Sequence, residues 1–351
     1  MPNDDTVTVS TTQEENNVEE KNEELNTNFN VENNVDVVVE NKVMTINLLG
    51  EVMMGGTVTR NLNYSYASAI KDVFSTTRSA DFTYCNFSTN ITNLEKIENA
   101  KSKYLVTKDA TTALEALGVD AVSIASDHIL DYPGDIIKNT IATLEESEIF
   151  VAGREDTPVY FDKEGKRIAI VSTNSVIIGT AKNYSSEGIS VYNKENLKKN
   201  IEEAKQSADI VIADIHWGRD HTYGVTNQMR EIARAAIDAG ADMVVGSHAL
   251  GVYPIVKYND KPIIYSTGYL ISDLDYTVAK EGFIFKVNID ESMKITSLEM
   301  TPIYIDNKEA VRLYYEYNDI KCMSYLEQFN KWHLDNGLYS KILNEKIVIN
   351  F

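Results

Sequence analysis

Imidazole, carboxylate and guanidinium groups stand close together directly after an apolar run of this sequence. The segment from His216 to His221 supplies two imidazoles, the Asp220 carboxylate and the Arg219 guanidinium within six residues. Imidazole and carboxylate together suit a borderline divalent cation, while a guanidinium suits the carboxylate or phosphate of a substrate. We therefore expect His216 to bind metal and Arg219, Asp220 and His221 to contact a substrate.

Two further histidines, His128 and His248, also follow apolar runs, so three of the five histidines share this placement. His128 stands beside Asp127, and a histidine next to a carboxylate can donate a proton near neutral pH because its ordinary pKa is about 6.5. We expect Asp127 and His128 to be catalytic and His248 to bind metal. The alternative is a histidine hydrogen-bonded for structure. The three imidazoles converge only if the strand order brings their loops together.

Glu51 and Asn86 are two more oxygen-bearing side chains at the ends of apolar runs. Glu51 follows Gly50, a residue that permits close approach of other groups, and Asn86 is followed two residues later by Ser88. Both patterns are also typical of ordinary turns, in which an Asn side chain caps the turn. Our hypothesis is that Glu51 and Asn86 supply oxygen ligands to the same metal.

The elements that would position these groups are short apolar runs that alternate with helical patterns from Val43 onward. This alternation is typical of a layered α/β domain, in which the loops at the carboxyl ends of the strands converge on one site. Two later segments, Gly282–Ile289 and Lys294–Ile305, predict a closing antiparallel pair. The remaining predicted strands are Val43–Leu49, Ala121–Ala125, Arg167–Ser172, Asp209–Ile215, Asp242–Gly246 and Lys261–Tyr265.

Three helices have recognisable ends in the sequence. Gly118 is a suitable end for one helix, Asp135 a suitable beginning for a second, and Thr226 a suitable beginning for a third. Beyond residue 306 the pattern is helical and rich in tyrosine to about Leu338. The predicted organisation is a leader, an α/β domain and a mostly helical C-terminal extension, at residues 1–40, 41–306 and 307–351.

The first forty residues differ in composition from the rest of the chain. They contain eleven acidic residues against one lysine, a net charge of −10, which is half of the formal −20 of the whole chain. They are rich in Asn, Thr and Glu and have one aromatic residue, so they cannot bury enough apolar surface to offset chain entropy. The composition predicts a disordered acidic leader; a helix with Glu and Asn on all faces is the alternative.

Charge and hydropathy exclude several classes of partner. Nucleic acids and anionic lipids are held chiefly by Lys and Arg, whereas this chain is strongly acidic. No run approaches the roughly 18 to 20 apolar residues of a membrane helix, and the N-terminus has no basic segment followed by an apolar one. We expect a chain without a transmembrane segment, from which a signal or anchor could have been removed. Cys85 and Cys322 predict neither a disulfide framework nor a metal site.

These segments resemble the capsule biosynthesis proteins CapA, called PgsA in poly-γ-glutamate systems, of the calcineurin-like metallophosphatase superfamily. The resemblance covers about Met44 to Asp273 and includes His128. It is strongest in three segments, Ala208–Gly218, Ala239–Gly246 and Pro262–Gly268.

The resemblance implies a four-layer αββα sandwich, two sheets packed face to face with helices outside. It also implies a role at the extracellular face of the bacterial membrane, in making or anchoring an anionic capsule polymer beside membrane-bound synthesis proteins. The superfamily implies a two-metal site for phosphoester chemistry, with the residue at the position of His128 as proton donor. The metals would be Mn, Zn, Mg or Fe.

The chain departs from the family pattern at several ligand positions. A family carboxylate is replaced by Ser88, and two imidazoles of a histidine-rich motif by Ser247 and Leu250. A family Asn is replaced by Tyr269, which we expect to contact substrate instead. Since a metal site needs a definite ligand count, we expect one divalent cation, bound weakly or not at all. We predict a capsule assembly protein; the alternatives are a metal-dependent phosphoesterase and a pseudoenzyme that acts as a scaffold.

Overall fold

A computed structural model of the chain describes residues 42–63, 65–94, 104–163, 165–176, 188–219, 224–306 and 310–351. The predicted leader at 1–40 lies outside the described residues, as do Asp220 and His221. Within the described ranges no helix has the length and apolar character that crossing a membrane requires.

Strands supply much of the regular structure. Each of the eight strands predicted from the sequence begins and ends within two residues of an observed strand, and the other strands of the described structure were not predicted. The strands are β1 (Lys42–Leu48), β2 (Glu51–Val52), β3 (Phe82–Asn86), β4 (Asn90–Thr92), β5 (Leu105–Thr107), β6 (Ala121–Ser123), β7 (Phe150–Ala152), β8 (Val159–Lys163), β9 (Lys166–Asn174), β10 (Ile210–His216), β11 (Met243–Ser247), β12 (Val256–Tyr258), β13 (Lys261–Ile264), β14 (Tyr269–Ile271), β15 (Glu281–Asp290), β16 (Ile295–Ile305), β17 (Val311–Leu313), β18 (Tyr339–Leu343) and β19 (Lys346–Asn350). The helices are α1 (Gly56–Leu62), α2 (Phe74–Thr77), α3 (Thr111–Leu117), α4 (Gly134–Glu146), α5 (Lys194–Lys205), α6 (Asn227–Asp238), α7 (Thr277–Lys280), α8 (Tyr314–Tyr317) and α9 (Asp319–Asp335).

Two mixed sheets contain most of these strands. In the described part of the chain, nine strands form the larger sheet, in the order β18-β19-β16-β15-β1-β3-β6-β7 with β17 beside β16. Six strands form the smaller sheet, in the order β12-β13-β11-β10-β9-β8. Parallel pairing joins β1, β3 and β6 in the larger sheet and β9, β10 and β11 in the smaller. Both sheets therefore have carboxyl ends of parallel strands at which loops can build a site.

Alternation of side chains along the strands divides the apolar residues among three layers of core. In β10, Ile210 and Ile212 pack in the core between the sheets, whereas Val211 and Ala213 pack under helices α5 and α6. A third cluster lies between the larger sheet and helices α3 and α4. Because each sheet has one face against the other sheet and one against helices, the fold is the predicted four-layer αββα sandwich.

Helix ends follow the local sequence signals closely. The Thr226 side chain accepts a hydrogen bond from the Met229 N–H and so begins α6, and Gly118 ends α3 in the left-handed conformation that glycine adopts without strain. Helix α4 departs from the prediction, because its N-cap is Pro133 and Asp135 lies inside the first turn without capping it. These ends set where each helix packs against its sheet.

The C-terminal residues 310–351 contain three strands in addition to helices α8 and α9. Strands β17 and β19 pair with β16, and β18 pairs with β19, so this segment widens the larger sheet. Leu326 and Phe329 of α9 pack into the core between the sheets. The sequence indicates a mostly helical extension here, and these strands are a departure from that prediction. Residues 40–351 form one compact unit.

Candidate metal centre

Five loops from both sheets meet at one rim of the sandwich. They follow the carboxyl ends of β1, β3 and β6 in the larger sheet and of β10 and β11 in the smaller. The strand order thus brings the loops of His128, His216 and His248 together. The loops bring together most of the predicted site residues, namely Glu51, Asn86, Asp127, His128, His216, His248 and Tyr269.

Asp127 lies at the centre of this group. Its Oδ1 atom is 2.8 Å from His216 Nε2 and 3.6 Å from His248 Nδ1. Ligand atoms of these three residues all lie within 4.8 Å of one another, and the two rings are 4.8 Å apart between centroids. Burial works to raise the pKa of the Asp127 carboxyl, but hydrogen bonds from His216 and His248 hold it well below its usual range. A charged carboxylate and two imidazoles therefore face a common point.

His216 is fully buried and has a fixed ring orientation. Along β10 the side chains of Ile210, Ile212 and Asp214 point between the sheets, and His216 follows on the same face because the period of a strand is two. Its Nδ1 atom lies 2.8 Å from Ser247 Oγ on the neighbouring strand. Ser247 thus orients the His216 imidazole.

His248 has a strained backbone that other residues of the site support. Its φ is +77°, in the left-handed region that costs a residue other than glycine about 1 to 3 kcal/mol. The His248 N–H donates to Glu51 Oε2 over 3.1 Å, and the Tyr269 hydroxyl donates to the His248 carbonyl over 3.3 Å. Glu51 and Tyr269 therefore hold the loop in the conformation that points His248 toward Asp127.

Ser88 connects the predicted oxygen ligands Glu51 and Asn86, all three of which are buried. Its hydroxyl donates to Glu51 Oε1 and lies 2.8 Å from Asn86 Oδ1, although one hydroxyl has only one proton to donate. Asn86 Nδ2 is buried without a hydrogen-bond partner in the described part of the chain. Turning the amide by 180° lets Nδ2 donate to Ser88 and leaves Oδ1 as a buried acceptor, an atom suited to a cation.

His128 lies on the wall of a cavity of about 250 Å³ that opens beside Asp127. Its Nε2 atom is 3.6 Å from Asp127 Oδ2, its Nδ1 atom is 2.9 Å from Asp131 Oδ2, and its ring lies 4.1 Å from that of Tyr104. Burial lowers the pKa of His128, but the Asp131 hydrogen bond and the Asp127 charge raise it above its ordinary value. Tyr269 also lines this cavity.

The remaining predicted contact residues do not join this group in the described structure. Arg219 is exposed and is not among the residues that line the cavity. Asp220 and His221 lie outside the described residues. Tyr104, by contrast, lines the cavity although the sequence gives no indication of a site around it.

A buried polar cluster below the site was also missed. Asp214 Oδ2 accepts from Ser172 Oγ over 2.7 Å, and Ser172 Oγ lies 2.5 Å from Ser123 Oγ of the larger sheet. Burial raises the pKa of Asp214. A carboxylate two residues before His216, on the same strand face, was the signal that could have revealed this connection between the sheets.

Similarity to known proteins agrees with this geometry. The model of the family described as bacterial capsule synthesis protein PGA_cap matches residues 45–274. The chain belongs to this family. A PGA biosynthesis protein CapA from Bacillus subtilis is 26% identical over 317 residues, covering 84% of this chain and 81% of that protein. A capsule biosynthesis protein CapA from Bacillus anthracis is 25% identical over 284 residues, covering 76% and 68%.

A solved structure extends the similarity to the fold. The crystal structure of a hypothetical protein from Thermus thermophilus has a TM-score of 0.51 and 14% identity, covering 74% of this chain and 98% of that one. At this identity the likeness concerns the fold alone, and it agrees with the layered architecture of this PGA_cap member.

The donor set of this PGA_cap chain fits a divalent cation. Two imidazole nitrogens and one carboxylate oxygen suit a borderline ion such as Zn²⁺. A ligand must also be deprotonated to bind metal, and the low pKa of Asp127 meets that requirement. The sequence predicts a catalytic role for Asp127. Its position beside His216 and His248 makes it also a candidate metal ligand.

Proposed function

We propose that this chain acts in making or anchoring an anionic capsule polymer of the poly-γ-glutamate type at the cell surface. The proposal is carried by one observation: imidazoles from two strands of the smaller sheet meet the Asp127 carboxylate beside an open cavity in a PGA_cap chain. Homologues named for PGA and capsule biosynthesis support the pathway. The acidic chain would meet an acidic polymer, so a local positive charge is needed.

We further propose that the centre holds one cation, bound weakly. Asp127, His216 and His248 are the one group of three such donors among the described residues. Both Glu51 oxygens already accept hydrogen bonds, from Ser88 and from the His248 N–H. A bound cation would supply positive charge to polymer carboxylates, and Tyr269 and His128 on the cavity wall would orient the chain that enters.

Gene deletion in a strain that makes the polymer tests the pathway. Deletion should remove surface polymer, and the wild-type gene should restore it. Restoration should fail with His216→Gln, which breaks the centre, and succeed with Arg60→Gln, an exposed residue on α1. Unchanged surface polymer after deletion would rule out the proposed pathway. Full restoration by both His216→Gln and His128→Gln would instead make the chain a scaffold whose centre has no part in assembly.

A second candidate, a metal-dependent phosphoesterase, is favoured by the position of His128. The ring lies beside Asp127 on the cavity wall and is oriented by Asp131, as a proton donor to a leaving group requires. The test is turnover of bis(p-nitrophenyl) phosphate by purified protein in Mn²⁺. Turnover that His216→Ala abolishes would support hydrolysis, and the absence of any turnover would end this candidate.

A further inference from the structure

A second groove lies at the edge of the smaller sheet, beside helix α6. Its volume is about 400 Å³, and strand β12, the edge strand of that sheet, forms one side. None of the described residues lines both this groove and the cavity at Asp127. The groove is therefore separate from the candidate metal centre.

Three basic side chains line this groove, whereas no acidic residue of the described chain does. Arg230 Nη1 donates to Asn227 Oδ1 over 3.1 Å, and the Arg234 guanidinium lies 5.4 Å from the centre of the Tyr258 ring. Neither guanidinium forms an ion pair with a carboxylate in the part of the chain that the structure describes. Lys257 is paired, 3.2 Å from the exposed Asp260.

Within the described residues Arg230 and Arg234 have no acidic partner, although the chain has 53 acidic and only 33 basic residues. Arg230 and Arg234 are four residues apart on one face of α6, where like charges destabilise a helix. The Arg234 guanidinium lies over the Tyr258 ring, and a guanidinium in such a contact can still donate its N–H groups to an anion. This arrangement costs helix stability and suits ligand binding.

The groove is built on a rigid wall. Tyr265 lines it and is almost fully buried, and its carbonyl accepts a hydrogen bond from Trp217 Nε1 over 2.8 Å. Trp217 follows His216 directly, so the wall of the groove is continuous with the strand that carries a residue of the metal centre.

A larger cavity at the opposite edge of the sandwich provides the contrast. It has a volume of about 620 Å³ and contains Arg154, but Arg154 pairs with Glu145 over 2.6 Å. Glu148 and Glu155 line it as well. That cavity is acidic overall. Unpaired basic groups among the described lining residues are therefore a feature of the smaller groove at α6, and not of the larger cavity.

We propose that the groove lined by Arg230, Arg234 and Lys257 binds carboxylate groups of a polycarboxylate chain, as a contact separate from the Asp127 centre. Adjacent guanidiniums can each take a carboxylate, and a flexible polymer presents many in series. The identity of that polymer as poly-γ-glutamate rests on the proposed function. The groove's preference for carboxylates rests on its own residues.

Binding of fluorescein-labelled poly-γ-glutamate to the full chain tests the groove. Fluorescence anisotropy in EDTA keeps metal out of the measurement. The double variant Arg230→Gln/Arg234→Gln should bind about tenfold more weakly, since two charge-assisted contacts are lost. The matched variant Arg60→Gln/Arg154→Gln removes the same charge elsewhere on the surface and should stay within about twofold of wild type.

Several outcomes would overturn the groove assignment. These are absence of polymer binding by the wild type, equal weakening in both double variants, and displacement of the polymer by phosphate at millimolar or lower concentration. Equal affinity for a single-stranded DNA oligonucleotide of matched charge would overturn it too, because a polycarboxylate site should prefer carboxylates. If binding depends on the groove but gene deletion leaves the surface polymer unchanged, the groove assignment would still hold and only the proposed pathway would be contradicted.

Discussion

At the scale of single residues, we propose that Asp127 compensates in part for the two imidazoles that the family resemblance implies and this chain lacks. Ser247 and Leu250 stand where imidazoles are expected, yet Asp127 brings a full negative charge to within 2.8 Å of His216 and 3.6 Å of His248. A carboxylate binds a cation more strongly than a neutral amide does, because it adds a charge to the ligand set. In this proposal one charged donor offsets part of what two further imidazoles would give.

Replacing that carboxylate tests the compensation. Asp127→Asn should weaken Zn²⁺ binding by about tenfold or more, because the variant keeps the shape and loses the charge. Isothermal titration calorimetry of the purified chain measures the change. His128→Gln is the matched control, since His128 lines the same cavity outside the three-residue group, and its affinity should stay within about threefold of wild type. Equal losses in both variants would contradict a centre formed by Asp127, His216 and His248.

At the scale of elements, long apolar strands and capped helices could be predicted from the sequence, and short pairings could not. Strand β10 is apolar on both faces over most of its length, and the Thr226 cap of α6 has an ordinary signature. Strands β2 and β14, by contrast, have two and three residues, too few for a period to be visible. Their pairing places Glu51 beside Tyr269, so part of the site depends on elements without a sequence signal.

The site, too, could be predicted from the sequence only where its residues follow long apolar strands. His128, His216 and His248 follow strands that the pattern reveals, so their common placement was visible. That they share one rim follows from strand order across two sheets, which is a long-range property. The roles assigned to the site residues stay predictions. Tyr104 and Ser172 reach the site region through packing between distant segments, for which the local sequence has no signal.

The last hairpin was missed because its turn uses an unusual residue. Asn344 and Glu345 connect β18 to β19 with φ of +49° and +60°. Turns with two positive φ values favour Asn-Gly, and a glutamate in the second place conceals the hairpin. The strain at Glu345 is the physical cost of that choice.

Relieving this strain gives a prediction for the hairpin. Glu345→Gly should raise the free energy of unfolding by about 0.5 to 1 kcal/mol, because glycine adopts positive φ without strain. Urea unfolding followed by circular dichroism measures it. Glu327→Gly, an exposed position inside α9, is the matched control and should lower stability by about 1 kcal/mol. A loss of stability in both variants would show that the left-handed turn is not strained.

At the scale of the whole molecule, the net charge of the protein has the same sign as that of the proposed polymer. The chain has a formal charge of −20, yet the groove at α6 collects three basic residues and the Asp127 centre is suited to a cation. An acidic surface repels an acidic polymer. We therefore expect the groove, and the Asp127 centre when it holds a cation, to decide where the polymer contacts the protein, and added salt should weaken the groove contact more than a metal contact.

We expect His333 to make the fold less stable in acid, because its ring connects α9 to the residue directly before β12. Its buried Nε2 accepts the Ile255 N–H over 3.2 Å, and burial lowers its pKa from 6.5 to about 4. As pH falls below 6.5 the unfolded chain binds a proton that the folded chain does not bind, so the free energy of unfolding should fall by about 3 kcal/mol by pH 4 and level off below it.

Urea unfolding in EDTA across this range should show a flatter pH dependence of the free energy of unfolding for His333→Gln, which has no titrating ring. The control His128→Gln, which removes a ring whose pKa is raised, should keep the wild-type fall between pH 6 and 4. Parallel pH profiles of wild type and His333→Gln would contradict a neutral buried imidazole at this junction.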